Sequence, residues 1–594
     1  MRYKDIVHLD FETFFSREYS LSKMATILYV RDPRFQCLGV AVARNDDPSV
    51  YLSEEEFLEW AEDIDWSTTA LQAFNCAFDA CVLTQQYGIK PAYYICSQSA
   101  ARGLIPYLPR HNLKTVAPSL GLGEKGDALQ EGSHAVTKEL ADYACNDNEL
   151  ARGIWRTLYP LLSETEQDMI DLTVRMAVEP TLELDAGTLH KVRDKAILER
   201  DAAIAASGYT EAQLNSNPQF AEIVRKLGLV PPTKISATTG EETEAFAKGD
   251  DEWVEFMLTY PEYLHIWEGR LAAKSNINIR RPEKLLEIAA TGSMPMPTLY
   301  CGGHTGRSSG CDGLNVQNLP QLNKSDLRLA FTAPKGHRIV VADSSGIELR
   351  TNMWFCGQED KLDILRSGGD IYKDEAAGQF NKHVDEITKQ ERQFGKVVQL
   401  GAGYGMGAVR FRKYCAAGPL GMDPIYLTEN EAFDAIYKYR ANNERVQEMW
   451  RKLSSALHDI THSNCDKSVY RLRFMHNAIG LPSGRQIQYF SLRQDEQGSW
   501  CYGVDKKVRW LHGGSVLENV VQAMARDIVA DQMLTVAKEM RVVGWTHDEI
   551  IAVVPERDAD DALKYMIEVM SVPPSWAPGL PLGAEGGHAE AYSK

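Results

Sequence analysis

The 594-residue sequence predicts an α/β multidomain protein. Three observations carry that expectation. The length, at about 100–200 residues per domain, implies three or four domains. Short apolar strands end in carboxylates near Asp10, near Asp343 and in the hairpin Val543 to Val554. Between them run long helical patterns, as at Ala186 to Ala206.

Composition narrows the function classes. A hydrophobic content of 44% is enough for sizeable cores. Lys+Arg 64 against Asp+Glu 82 gives a net charge of −18, which excludes a surface that binds polyanions all over, so a nucleic acid would need a locally basic groove. The 11 cysteines form no Cys-x-x-Cys pair and no His/Cys zinc spacing, the pattern of reduced thiols. No apolar run reaches transmembrane length, and the N-terminal apolar segment is interrupted by acids too soon for a signal peptide. A reducing cytoplasm and no membrane partner are expected.

Residues 5–15, DIVHLDFETFF, read as a strand in which Asp10 and Glu12 share one face, so both can converge on one ion or simply alternate on a surface. Leu71 to Leu83 sets Asn75 and Asp79 in a mostly apolar segment, where an unpaired acid is costly to bury. ELADYACNDNELA reads as a helix with Tyr143 and Asp147 at i and i+4, the spacing of one face, solvated by default. Together, Asp10-x-Glu12-Thr13, Asn75-x-x-Phe-Asp79 and Tyr143-x-x-x-Asp147 resemble the three motifs of the 3′→5′ proofreading exonucleases, which have a ribonuclease-H-like fold. The resemblance implies that Asp10, Glu12, Asp79 and Asp147 hold two metal ions, while Tyr143 orients the attacking water. Two hard cations would activate water and stabilise the leaving oxygen.

The character changes at Leu162. Ser163-Glu-Thr-Glu166 reads as a capping box opening a helix, and a second helix covers Ala186 to Ala206. Val230 to Lys248 reads as an irregular connection. Arg270, Lys274, Arg280, Arg281 and Lys284 form a local positive excess, suited to phosphate contacts or to a solvated helix end. The helices up to about residue 285 would form a clamp beside a duplex.

His304 to Pro320 is a Gly/Ser/Asn-rich loop in which Arg307 offers a fork for phosphate. GHRIVVADSSGIELR, residues 336–350, is a strand ending in Asp343, then small residues, then a helix carrying Glu348 and Arg350. Asp343 there suits either a metal ligand or a helix N-cap. In residues 391–407, Arg392, Lys396, Leu400 and Tyr404 recur every four residues, a stripe with two cations at one end and an aromatic at the other. Such a stripe suits a triphosphate, or is a mixed exposed face. The neighbouring glycines follow a helix, not a strand, so a dinucleotide fingerprint fails its context test. Val543 to Val554 is a hairpin whose turn holds Thr546, His547, Asp548 and Glu549. Adjacent acids repel unless a cation or proton is shared, although acids are also common in solvated turns.

In this order, Asp343-Ser-Ser-Gly-Ile-Glu-Leu-Arg350, the Arg392-x-x-x-Lys396 stripe ending in Tyr404-Gly405, and His547-Asp548-Glu549 resemble motifs A, B and C of the family A DNA polymerases. Thr305-Gly306-Arg307 with Asn315 to Pro320 is similar to the family's primer-template segment, and Leu481-Pro-Ser-Gly-Arg485 to bacteriophage members. No 5′-nuclease domain is expected ahead of the exonuclease.

The resemblance implies a DNA-directed DNA polymerase with 3′→5′ proofreading that replicates a phage genome, acting on primer-template DNA and dNTPs in the host cytoplasm as a monomer. Asp343 and Asp548 would bind two catalytic Mg2+ ions, with Glu549 close by; two more would sit in the exonuclease site, Mn2+ being able to substitute. Arg392 and Lys396 would hold the triphosphate, Leu400 and Tyr404 would lie by the base, and Glu348 would close the 2′ side of the sugar. His547 would touch the primer end, and Arg307, Gln317, Gln522, Lys274 and Arg280 the duplex.

Two departures stand out. Leu400 replaces the family's common aromatic, and Ser344 and Gly346 replace Tyr and Gln, removing bulk around Glu348. A single-subunit RNA polymerase shares the stripe and the His-Asp turn, but Glu348 and the proofreading acids favour DNA synthesis; a clamp retaining only nuclease activity is the other rival. The implied layout is an exonuclease domain to about residue 155, then a right-hand polymerase in residues 156–594. Its thumb would lie at about 160–285, its palm at about 286–360 and 491–594, and its fingers at about 361–490, with the palm strands meeting in an antiparallel sheet.

Overall fold

In the N-terminal unit of the computed structural model, five strands form one mixed sheet. The structure describes residues 2–126, 131–132, 134, 136–236, 239–419, 424–461, 466–504 and 508–593. The strands are β1 (Asp5–Thr13), β2 (Cys37–Arg44), β3 (Val50–Leu52), β4 (Thr69–Ala73) and β5 (Tyr93–Cys96), in the order β3-β2-β1-β4-β5. β1 is antiparallel to β2 and parallel to β4. It is central, so Val7, Leu9 and Phe11 are fully or almost fully buried, and its acids are carried into the interior at its C-terminal end. The helices Cys76–Gln86 and Lys138–Leu158 pack on this sheet. The second begins at Thr137, whose hydroxyl accepts from the Leu140 N–H at 3.2 Å, and it runs past the expected boundary at 155.

Helix Glu164–Val178 follows. Ser163 caps it by accepting from the Glu166 N–H at 3.3 Å. The reciprocal half of the expected capping box is missing, because the Glu166 side chain is buried against Arg526 and Tyr300, contacts that repay its desolvation better than one backbone N–H.

Helix Ala186–Ala206 forms as its periodicity predicts, with Leu264–Lys274 and Ile277–Ala289 packed along it. A separate core is built around Trp253, Trp267 and Phe220. Arg270 belongs to that core, not to a phosphate-binding face. It is 1% exposed, donates to the Leu214 carbonyl and to Asn217, and lies 4.8 Å from the Phe220 ring centre, so its guanidinium is directed into the core and away from solvent. The stretch read as irregular holds a short antiparallel pair, Thr233–Ile235 with Glu242–Glu244.

The sheet carrying Asp343 is antiparallel throughout, in the order Arg541–Thr546, Glu549–Pro555, His337–Ser344, Ala584–Ala589. Ile339, Val340, Val341, Ile550, Ile551 and Ala552 are buried in it, each larger aliphatic contributing about 1.5–3 kcal/mol. This core is continuous with that of the N-terminal sheet. Val397, Val398, Phe411, Ile436 and Tyr439 form a third core. Helix Glu444–Ile460 and the strands up to Gln488 belong to the large core that includes the sheet carrying Asp343. Among the described residues no helix is long and apolar enough to cross a membrane.

Candidate active sites

The hairpin Arg541–Pro555 turns on two residues, His547 and Asp548, with Thr546 opposite Glu549. His547 takes the left-handed conformation (φ 58°), and the Ser344 N–H donates to the Asp548 carbonyl at 3.1 Å, tying the tip to the strand that ends at Asp343. The register places Asp343 opposite Glu549. The Asp343 and Asp548 carboxylates are thereby close enough to interact, and burial together with the Asp343 charge pushes the Asp548 pKa up to about 7. Gly346, not Asp343, occupies the N-cap of helix Ile347–Cys356. Glu549 is engaged elsewhere: it accepts from the Tyr592 hydroxyl and lies 3.9 Å from Arg328, 8% exposed.

Helix Lys389–Ala402 carries Arg392, Lys396 and Leu400, and Tyr404 follows just beyond its end. Arg392 Nε is 2.5 Å from Asp370. Tyr372 sits between stripe and acids: its ring centre is 5.4 Å from the Arg392 guanidinium and 5.8 Å from Lys396 Nζ, and a side chain added at Gly346 would touch its hydroxyl. The bulk missing at Gly346 is thus partly restored from another helix. Nothing in the linear pattern marks Tyr372, because its partners lie about 20 residues or more away in sequence. Glu348 pairs with Arg307, so the expected sugar-side acid and the expected phosphate fork hold each other.

Of the remaining expected DNA contacts, Lys274 and Arg280 are exposed, Gln317 is 6% exposed in the turn Val316–Asn318, and Gln522 donates to Glu518 at 3.3 Å. Arg281 and Lys284 are used internally, donating to the carbonyls of Asn318 (3.0 Å) and Asp312 (3.2 Å).

The second site is a cleft of about 630 Å³ lined by Asp10, Glu12, Asp79, Tyr143 and Asp147. β1 supplies the first two; helix Cys76–Gln86 supplies Asp79, which accepts from the Phe11 N–H at 3.0 Å; helix Lys138–Leu158 supplies Tyr143 and Asp147. Burial and mutual repulsion raise these carboxylates. Burial first, then Asp79, Glu12 and Asp147, hold Asp10 well above the carboxylate range. Burial brings Glu12 to about 8, against the pull of Lys125, and Asp79 to about 7. Lys125 was not singled out by any sequence pattern, yet its Nζ is 2.5 Å from Asp147 Oδ2 and 4.9 Å from the Tyr143 ring centre.

Both sites offer hard carboxylate oxygens crowded enough to favour a shared cation, the donor set that suits Mg2+. Asp147 Oδ1 is buried with no hydrogen-bond partner, an orphaned acceptor that an ion would satisfy. Among the described residues no group of three or more Asp, Glu, His or Cys side chains is arranged as a ready-made metal cage.

A profile of DNA polymerase family A matches residues 188–594. The DNA polymerase of Bacillus phage SP02 is 31% identical over 348 residues, 55% of this chain and 50% of that protein. DNA polymerase I of Pseudomonas aeruginosa is 26% identical over 293 residues, 46% of this chain and 31% of that enzyme. DNA polymerase I of Rhizobium leguminosarum is 22% identical over 571 residues, 90% of this chain and 51% of that enzyme. The chain therefore spans about half, or less, of the relatives it matches. The solved POL domain of Pol1 from M. smegmatis, in complex with DNA primer-template and dNTP, superposes with a TM-score of 0.70 at 17% identity, over 99% of this chain and 96% of that one, a likeness of fold.

Proposed function

The chain belongs to DNA polymerase family A, and from that membership we propose that it extends a primer on a DNA template with dNTPs at Asp343 and Asp548 and excises mispaired 3′ nucleotides at Asp10, Glu12, Asp79 and Asp147. One observation carries the synthetic half: the antiparallel register that joins the ends of two palm strands brings Asp343 and Asp548 together. Divalent ions bound at these carboxylates would activate the attacking oxygen and neutralise charge on the leaving one.

The chain's own residues do the rest by position and charge. Arg392 and Lys396 take the triphosphate, Arg392 leaving Asp370 to do so. Tyr372 fixes the angle of that cationic pair towards Asp548. Glu348, oriented by Arg307, limits the space at the 2′ position of the sugar. Tyr404 and Leu400 border the base. His547, at the exposed tip, meets the primer end, and Lys274, Arg280 and Gln522 track the duplex.

For the N-terminal unit, the sheet order with one antiparallel edge and a central acid-bearing strand supports a ribonuclease-H-like fold, and the four-acid cleft supports proofreading. Similarity to the phage SP02 polymerase supports replication of a phage genome.

Primer extension and mismatch excision by the full chain test both halves. Asp548→Asn abolishes extension with excision intact, and the double change Asp10→Ala, Glu12→Ala does the reverse. Loss of both activities in either folded variant would refute two independent sites. Preference for rNTPs over dNTPs in the wild-type protein would refute DNA synthesis.

A further inference from the structure

The four carboxylates of the N-terminal cleft are accompanied by one ammonium whose position is built, not incidental. Helix Lys138–Leu158 holds the segment carrying it at three points: Asn146 Nδ2 donates to the Glu124 carbonyl at 3.3 Å, the Tyr143 ring lies 4.9 Å from Lys125 Nζ, and Asp147 Oδ2 lies 2.5 Å from it. Gly126 lies beside the Tyr143 ring, where an added Cβ would come to 3.4 Å of it. Lys125 thus contacts the two residues expected to hold a metal ion and to orient water, and it lines the same cleft as Asp10, Glu12 and Asp79. Its own side chain is 30% exposed and that of Asp147 3%, so the ammonium is the solvent-facing partner of the pair.

We propose that Lys125 is a catalytic residue of the excision site, a built-in cation that balances Asp147 before substrate binds and transfers to the non-bridging oxygens of the scissile phosphate when substrate and divalent ion enter.

The proposal rests on the excision reading above. In the hydrolysis, a water oxygen bonds to phosphorus and the bond from phosphorus to the 3′ oxygen breaks. The water proton leaves to solvent and the 3′ oxygen takes one from solvent. Lys125 stays protonated throughout and offsets charge that gathers on the phosphoryl oxygens. Its Asp147 contact is exchangeable because a divalent ion competes for the same oxygen with twice the charge.

The test uses the full chain carrying Lys125→Ala or Lys125→Arg. Single-turnover excision of a 3′-mismatched primer falls about 100-fold in Lys125→Ala and is partly restored in Lys125→Arg, while primer extension is unchanged. Binding of Mn2+ without DNA, followed by the spectrum of the free ion in an Asp343→Asn, Asp548→Asn background, tightens about threefold or more in Lys125→Ala, because a competitor for Asp147 is gone. Excision at the wild-type rate in Lys125→Ala overturns the proposal and leaves the excision reading standing. A parallel loss of excision and of Mn2+ affinity also overturns it, reducing Lys125 to a structural prop. Wild-type protein that excises nothing overturns both.

Discussion

Asp343 and Asp548, 205 residues apart in sequence, come together because the Ser344 N–H donates to the Asp548 carbonyl and the register sets Asp343 opposite Glu549. A hairpin tip is thereby fixed against a strand end, and two like charges share a partly buried space. Glu549, the other acid of the tip, is turned into a contact with Tyr592 and Arg328.

The crowding has a pH signature. Burial and Asp343 raise Asp548 to about 7, so below that pH a proton competes with a metal ion for the carboxylate. At subsaturating Mg2+ the extension rate is expected to rise with pH from 6 to 8, and saturating Mg2+ should move the midpoint down. A profile that ignores Mg2+ concentration would show that Asp548 does not bind the ion.

Arg392 is held by Asp370, which also caps helix Ile371–Phe380 by accepting from the Tyr372 and Lys373 N–H groups. Asp370→Asn keeps the cap and removes the competing charge. The partly exposed pair is worth up to about 1 kcal/mol, so the KM for dNTP is expected to fall by up to about fivefold with kcat little changed. Steady-state kinetics on a primed template decides this; a raised KM would mean that Asp370 aims Arg392 instead of restraining it.

The N-terminal cleft makes the metal-free protein sensitive to base. Glu12 and Asp79 have folded pKa values of about 8 and about 7, above those of free carboxylates, so the folded state binds more protons than the unfolded state in between. This contribution to stability is fully present below about pH 4 and is lost as pH rises to about 8. Thermal melting in a chelator should follow that decline, Mg2+ should reverse it, and Asp10→Ala, Glu12→Ala should flatten it. Melting that is independent of pH in the chelator would contradict the crowding.

Much of this architecture was legible because it is local. Helix Ala186–Ala206 follows from its periodicity and from Asp185, which accepts from the Gly187 and Thr188 N–H groups. The hairpin at Asp548 follows from alternation around a polar turn. Partner choice is not local. Ser163-x-x-Glu166 has the form of a capping box, yet a guanidinium 360 residues away claims the glutamate. Arg270 has the look of a phosphate contact until Phe220 and Asn217 surround it. Lys125 and Tyr372 carry no motif at all; only the fold brings them to the acids.

Glu166 provides the last test. Burial alone would raise its pKa, but Arg526 and Arg485 overcome that and bring it down to about 2. The folded pKa lies below the unfolded value, so the stabilisation is fully present above about pH 4.5 and is lost as pH falls towards 2. A depression of that size corresponds to roughly 3 kcal/mol. The same cluster reaches the polymerase loop: Arg485 pairs with Asp527 at 2.5 Å and donates to the Thr305 carbonyl at 2.9 Å, two residues before Arg307. Glu166→Gln leaves two buried guanidiniums, Arg526 and Arg485, sharing the single carboxylate of Asp527 and should cost about 3–5 kcal/mol at pH 7. The loss should shrink on acidification, as the wild type gives up the same contribution. Denaturant unfolding of both proteins at pH 7 and pH 3 measures it; an equal difference at the two pH values would show that the glutamate charge does not hold the cluster.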